Sequence, residues 1–457
     1  MPAGIESQHR GPQYLASGDE PSYRIRCPIH GFIWFSEHER RIIDHPLFQR
    51  LRFIRQLALT EYLYPGATHT RFEHSLGVME VATRAFDTIA RRQGALLEEV
   101  FKHVAGWEDK PLAQARRHLR AAALLHDVGH VCFSHAAEEL LHQGRQHEKL
   151  TVTVLSEPGL MGADLDDAFG NGAGELLTHL IDFRRESPVH LKLLHDLISG
   201  EMDADRMDYL LRDSHHCGVS YGRFDHLRLL DALRLYSEGS EHAELVLHED
   251  GLHALEALII ARFQMSTQVY LHPVRRIYDH HLREYLRTLS SEEFSEVNLL
   301  LSLTDVHILY RIFGAADDTT ASGHKWAERI RHRDHFRLIS STPDLATRSQ
   351  MEAAARDYER WTTKYPELEF YHDVARGSFH RMPPVDDLVR SDESGTNPTG
   401  GLRVQHDRGE LQHALEASRL LQALPQTFQC ARIFGSIGRN NIDLRDQILA
   451  GSGSGTV

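Results

Sequence analysis

Five histidines lie between Leu125 and Glu148: His126, His130, His135, His142 and His147. The sharpest feature is the pair His126-Asp127, which directly follows the apolar run AAALL. A hydrophobic helix that ends in adjacent imidazole and carboxylate groups delivers one neutral nitrogen and one charged oxygen to the same place. That donor mix suits a divalent ion such as Mn²⁺, Mg²⁺, Fe²⁺, Ni²⁺ or Zn²⁺. Two ligands alone make a weak site, and two further segments look able to complete it. Upstream, THTRFEHSLG offers His74 at the start of an amphipathic helix; downstream, GEMDADRMDYLLRD offers Asp205 among Asp203, Asp208 and Asp213. The order His…His-Asp…Asp gives two imidazoles and two carboxylates, short of octahedral, so positions remain for water and a phosphate oxygen. Such an ion acidifies bound water towards neutral pH and offsets charge on a phosphoryl group under attack. A single histidine at a helix end is more often a cap, and an acidic run is usually a solvated face. Three separated segments in a fixed order, each with the right donor types, carry the reading.

Helices must position these residues, and the 3.6-residue period dominates from Glu37 onward. In HPLFQRLRFIRQLAL, Pro46 stands where an N1 proline belongs, and Leu47, Leu51, Ile54 and Ala58 fall on one stripe, so the spacing predicts a helix. GVMEVATRAFDTIARR, PLAQARRHLRAAALLHD and EMDADRMDYLLRDSHH share that period. The stretch 252–289 reads as one long helix kinked at Pro273. Residues 22–36 alternate around Pro28 and Gly31 and read as a short hairpin. RGELQHALEASRLLQAL (408–424) reads as a helix and TFQCARIFG as a strand. The expected architecture is mainly α. A flexible arm (1–20) precedes a helical core (21–310), followed by a smaller mixed α/β C-terminal lobe (311–445) with a loop near 391–401, and a flexible tail (446–457).

The chain has 457 residues, 41% hydrophobic and 25% charged, which leaves ample apolar surface for a core and excludes global disorder. No apolar run approaches the roughly 20 residues of a membrane span, and the Met1 region lacks a signal-peptide core, so a cytoplasmic protein away from membranes is expected. Cys27, Cys132, Cys217 and Cys430 lie far apart without CxxC spacing, which argues against a disulfide framework or structural zinc. Lys+Arg 51 against Asp+Glu 65 gives a net charge of −14, which disfavours a dedicated duplex-DNA binder. A basic run such as RIRHRDHFR (329–337) could still hold a single strand, although such runs are usually solvated faces.

Beyond the metal donors, the chain resembles the HD-domain phosphohydrolases, and within them the deoxynucleoside triphosphate triphosphohydrolases. The matching segments are PIHG at 28–31, RIIDHPLFQRLRFIRQL at 41–57, YPGATHTRFEHSLGV at 64–78, HDVGHVCFSH at 126–135, HE at 147–148 and DADRMDYLLRDSHHCGV at 203–219. The likeness fades beyond residue 290, and no SAM domain is present. It implies that His74, His126, Asp127 and Asp205 hold the metal. It implies that His130, His135 and His147 contact the α-phosphate and supply protons to the leaving oxygen, with Glu138 orienting His135 from the next helical turn. Glu148 either supports His147 or faces solvent, and His142 has no matching role. Arg71 reaches the phosphate or stacks on the base; Arg206 and Arg262 bind phosphates; Tyr209, Asp213 and Tyr270 meet the sugar. Gln56 and Leu57 match positions that contact the 3′-hydroxyl and crowd the 2′ carbon. A buried unpaired ribose hydroxyl there would cost on the order of 1–3 kcal/mol, so deoxyribose is favoured.

The reaction so implied is attack of water on the α-phosphorus of a dNTP, giving deoxynucleoside and inorganic triphosphate. Asp44, Gln49 and Arg52 match residues that read an activating GTP or dNTP at a subunit interface, and the family implies a homo-oligomer, dimer to tetramer. The sequence departs from the vertebrate members at Arg206 (lysine there), at Ser266 (histidine there) and at Arg26-Cys27 (Asn-Asp there). Alternatives are an HD-type phosphodiesterase or nuclease acting on single-stranded nucleic acid or a signalling nucleotide, and a nucleotide-sensing regulatory protein.

Overall fold

The hairpin expected near the start is present as β1 (Tyr23–Cys27) and β2 (Gly31–Phe35), antiparallel with Cys27 opposite Gly31. Gly31 turns the chain at φ +78, where a side chain would be strained. The computed structural model describes residues 20–134, 136, 147–184, 186–237, 243–289, 296–379, 401–438 and 442–450. The arm up to residue 19, residues 391–400 of the expected loop, the tail from 451, and His135, Glu138 and His142 lie outside them. A helix at Ile442–Ala450 runs into the segment expected as tail.

The architecture is mainly α. Helix α1 (Glu37–Asp44) opens on a capping box of Ser36 and Glu39. Its Glu39 is buried and pairs with Arg120, whose guanidinium also donates to Thr83 Oγ1 (2.7 Å) and the Trp34 carbonyl (2.7 Å). That fully partnered charge ties α1 and β2 to α2 (Arg71–Phe101) and α3 (Pro111–Leu125), the long helices that carry the first donors. Further along come α4 (His147–Ser156), α5 (Ala204–Cys217), α6 (Leu252–Met265), α7 (Pro273–Leu286) and α8 (Asp305–Asp317). No described helix is long and apolar enough to cross a membrane.

Three expectations for secondary structure need correction. The stretch 46–58 is not one helix. A single turn at Pro46–Gln49 passes into a 3-10 turn at Arg50–Phe53, and Ile54 is extended. Its apolar stripe is still buried at Leu51, Ile54 and Ala58, but the backbone is committed elsewhere. The Gln56 amide donates to the His69 carbonyl and the Arg71 amide to the Ile54 carbonyl, so the segment is stitched to the start of α2. The 252–289 helix breaks before Pro273, in a π-turn at Ser266–Tyr270, and Pro273 starts a new helix at its N1 position. The 408–424 segment is a short strand and two single turns, interrupted at the extended Ser418.

Beyond the first hairpin, the strands form two sheets. The first contains β3 (Leu233–Ser237), β4 (Ala243–His248), β7 (Arg403–Gln405) and β8 (Leu411–His413), in that order. The second has β9 (Thr427–Gly435) between β5 (Arg337–Ser341) and β6 (Phe370–Ser378). Val404, Leu415 and Leu421, expected within the C-terminal lobe, pack into the main helical core.

Buried histidine makes this core acid-sensitive. His118 lies against Trp107, ring centroids 5.0 Å apart, and its Nδ1 donates to the Gln114 carbonyl. Burial, with Arg117 nearby, holds its pKa down to about 4. The folded value is depressed, so its contribution is complete above pH 6.5 and is lost as pH falls towards 4, on the order of 3 kcal/mol at most. Thermal melts of His118→Phe should therefore fall less steeply than wild type between pH 6.5 and 4. Parallel slopes would show that His118 does not set the acid limit.

Candidate metal centre and nucleotide pocket

The ends of three helices meet in the interior. His74 sits in the first turn of α2, fixed by a capping box of Thr70 and Glu73. His126 follows the last residue of α3, whose final turn, Ala121 to Leu125, is completely buried, so the helix opens inside the protein. Asp205 is in the first turn of α5, after the N-cap Asp203. Asp205 Oδ1 is 3.0 Å from His74 Nε2 and 3.8 Å from His126 Nε2. Across from it, Asp127 approaches His74 Nε2 at 3.6 Å and His126 Nε2 at 3.4 Å. Donor atoms about 2.1 Å from one ion and at right angles lie roughly 3 Å apart, so the spacing suits a single cation.

The ring orientations make the same point. Both His74 Nε2 and His126 Nε2 are buried and make no hydrogen bond among the described residues. Their other nitrogens are fixed: His74 Nδ1 donates to Asp208 (2.8 Å) and His126 Nδ1 to the Ala123 carbonyl (2.8 Å). Each Nε2 therefore points at the centre, the nitrogen that a cation would take in place of its proton, as an oriented metal ligand does. Burial opposes charge on His74, but the Asp205 and Asp208 carboxylates outweigh it and lift its pKa to about 10. His74, His126 and Asp205 each bring one donor atom to a common point, a set that suits a divalent cation, whereas Asp127 gathers with His130 and His147 beside it.

Several supporting residues escaped sequence reasoning. Asp208 is completely buried and accepts from His30 Nε2 (2.6 Å), from Arg212 Nε (2.8 Å) and Nη2 (2.9 Å), and from His74. Arg50 Nη2 donates to the carbonyls of Val128 (2.8 Å) and His130 (2.6 Å), holding the turn after His126-Asp127. Asp305, at the start of α8, accepts from the amides of Arg55 (2.8 Å) and Phe133 (2.6 Å). The only local signals were the i, i+4 spacing of Asp208 and Arg212 and the Asp that follows Thr304.

A second cluster adjoins the first. His130 Nε2 is 3.3 Å from Asp127, its ring stacks on His147 with centroids 3.9 Å apart, and His147 Nε2 is 3.4 Å from Glu148. Burial, and Arg71 beside it, keep His130 neutral. Arg71 is turned inward, to Asp127 (2.5 Å) and Ser134 Oγ (3.0 Å). On the far side, Tyr270 donates to Asp213 Oδ2 (2.7 Å), whose other oxygen meets His69 (2.7 Å), and Tyr209 packs edge-on against Tyr270. Gln56 and Leu57 are buried, with no described partner for Gln56 Oε1. Arg206 pairs with Asp203 (3.0 Å) and the Gly200 carbonyl. Arg262, close enough to feel both Arg206 and Tyr209, has a buried Nη1 without a described partner.

The residues matched to an activator site are engaged with their neighbours. Asp44 accepts from Arg40 (3.2 Å), Gln49 Nε2 donates to the Ile43 carbonyl (2.7 Å), and Arg52 donates to Gln49 (2.8 Å) and lies over the Phe72 ring. A cavity of about 270 Å³ lined by Arg41, Asp44, His45 and Asp164 adjoins Asp44 but not Gln49 or Arg52. In the basic run 329–337, Arg329 covers Phe336 near Asp334, and Arg331 pairs with Asp317. The cysteines are free and buried.

Comparison with known proteins agrees with the geometry. The family model described as HD domain matches residues 71–213, and that of the HD associated region matches 224–364. The chain belongs to the HD-domain family, with an HD domain followed by an HD associated region. It is 35% identical over 285 residues to the uncharacterized protein MJ1154 of Methanocaldococcus jannaschii, covering 62% of this chain and 54% of that protein. Over 325 residues it is 28% identical to the deoxynucleoside triphosphate triphosphohydrolase SAMHD1 of Gallus gallus, covering 64% of this chain and 48% of that one. The crystal structure of a hypothetical protein from Aquifex aeolicus is similar at a TM-score of 0.73 and 32% identity, covering 93% of this chain and 99% of that one. The chain spans about half the length of the curated relatives it matches.

Proposed function

We propose that the chain hydrolyses deoxynucleoside triphosphates to deoxynucleoside and intact inorganic triphosphate. The observation that carries this is Arg262, half-buried, whose buried Nη1 has no partner among the described residues and which lies within electrostatic reach of Arg206, Tyr209 and Asp203. A buried guanidinium nitrogen without a partner is costly alone and suits a polyphosphate oxygen. A divalent ion held by His74, His126, Asp127 and Asp205 supplies charge neutralisation at the α-phosphate and a more acidic water.

The other groups bind and move protons. Arg206 and Arg262 hold the β,γ-phosphates, and Arg71 braces Asp127 at the α-phosphate. Tyr209, Tyr270, Asp213 and Gln56 seat the sugar, while Leu57 crowds its 2′ carbon. The leaving 5′-oxygen takes its proton from His147, with His130, His135 and Glu138 completing that relay. In the same reading, Asp44, Gln49 and Arg52 bind an activating GTP or dNTP.

Incubating the protein with each dNTP and Mn²⁺ or Mg²⁺, with and without GTP, should release deoxynucleoside and triphosphate in equal amounts. Formation of dNMP and pyrophosphate, of dNDP and phosphate, or cleavage of labelled single-stranded DNA or RNA would replace this reaction by another. A rate unaffected by GTP or a second dNTP would remove the activator role alone.

A further inference from the structure

Helix α8 buries Ile308, Ile312, Ala315 and Ala316 against the protein and turns its opposite face to solvent. That outer face is apolar: Val306 is 57% exposed, Tyr310 82% and Phe313 43%. With Asp317 these residues are spaced four, three and four apart, which draws one continuous stripe along the helix. Phe53, 54% exposed, extends the patch at the helix start, because Asp305 holds the amide of Arg55 two residues further on. Single exposed apolar residues are ordinary, whereas a contiguous patch marks a contact.

We propose that this face joins two copies of the chain, their α8 helices crossing antiparallel about a two-fold axis between Arg311 and Ile312. A two-fold contact needs a surface complementary to itself. Reversed about that axis, the four-three-four spacing maps onto itself. Tyr310 then meets the partner's Phe313, and Val306 and His307 meet the partner's Asp317. The charges agree with this register. Asp317 lies at the negative C-terminal end of its own helix, where a carboxylate is disfavoured, and is delivered to the positive first turn of the other helix beside His307. It pairs with Arg331 yet remains largely exposed, so it has room for the second contact. An unrelated partner would have no need of a stripe symmetric about its own midpoint. One helix pair covers less than the roughly 800 Å² per partner of a stable interface, so Phe53 on the flank belongs to the contact as well. The inference is independent of the substrate proposed above.

Sedimentation velocity of the full chain over a range of protein concentrations tests it. Wild type should sediment at twice the chain mass or an even multiple of it. Tyr310→Asp and Val306→Asp, the latter setting a carboxylate against the partner's Asp317, should each halve that mass while far-UV circular dichroism stays unchanged. His307→Asp should weaken association about tenfold, and adding Asp317→Lys should restore it through the swapped pair. A monomeric wild type, or a mass unaffected by both Tyr310→Asp and Val306→Asp, overturns the interface. A charge swap that fails to restore association overturns the antiparallel register.

Discussion

Asp208→Asn is expected to cost about 3–5 kcal/mol of stability and to lower metal affinity about 10–100-fold, although Asp208 is not a metal ligand. Both of its oxygens are saturated by His30, Arg212 and His74, and burial, which opposes the charge, is outweighed by the Arg212 guanidinium, so its pKa lies well below the usual carboxylate range. Asparagine keeps the shape but removes the charge, and turns one acceptor into a donor facing donors. Arg212, completely buried, would lose its charge partner and keep, besides the asparagine carbonyl, Glu73 at 3.3 Å and the Cys27 sulfur at 3.4 Å. His74 would lose the acceptor that fixes its Nδ1 proton, and with it the tautomer that aims Nε2 at the metal. Gly77→Ala should produce the same defect sterically, because a Cβ there would stand 1.9 Å from Asp208 Oδ1 and 2.4 Å from Arg212 Nη2. Urea unfolding and calorimetric Mn²⁺ titration of both variants check this. Full metal affinity in Asp208→Asn would mean that His74 keeps its tautomer without the carboxylate.

The same residues explain what was legible beforehand. His74, His126-Asp127 and Asp205 stand at helix ends, where local sequence sets both the donor type and its direction. Asp208 was visible only as one aspartate of a run that also holds Asp203, Asp205 and Asp213. Its role comes from packing against Gly77, where α2 and α5 approach too closely for a side chain, and that approach has no local signature. The stretch 46–58 misled because side-chain periodicity is silent about backbone hydrogen bonds: a 3-10 turn followed by an extended segment buried the same stripe while pairing with His69 and Arg71. In 408–424 the winning interaction was non-local, since Leu411–His413 pairs with β7, and β pairing overrides helix propensity when a partner strand is at hand.

Asp127→Asn and Asp205→Asn should both abolish metal binding and hydrolysis, but they should part in stability. The Asp127 carboxylate, 6% exposed, neutralises the equally buried Arg71 at 2.5 Å and touches His130. Without that charge, Arg71 is left with the Ser134 hydroxyl inside the protein, a loss of about 3–5 kcal/mol. The Asp205 side chain is 35% exposed, and its charge lies beside Asp203, a carboxyl that burial, with the Asp205 charge beside it, pushes up to about 7. Removing it relieves that repulsion while costing His74 a partner, so the net change should stay within about 1 kcal/mol. The comparison must be made on chelator-treated protein, because bound metal would add its own stabilisation to wild type. Matched urea midpoints for the two variants would show that Arg71 finds another partner when Asp127 loses its charge. A large loss in Asp127→Asn alone would show that one ligand serves the ion and the fold together, while its opposite across the site serves the ion.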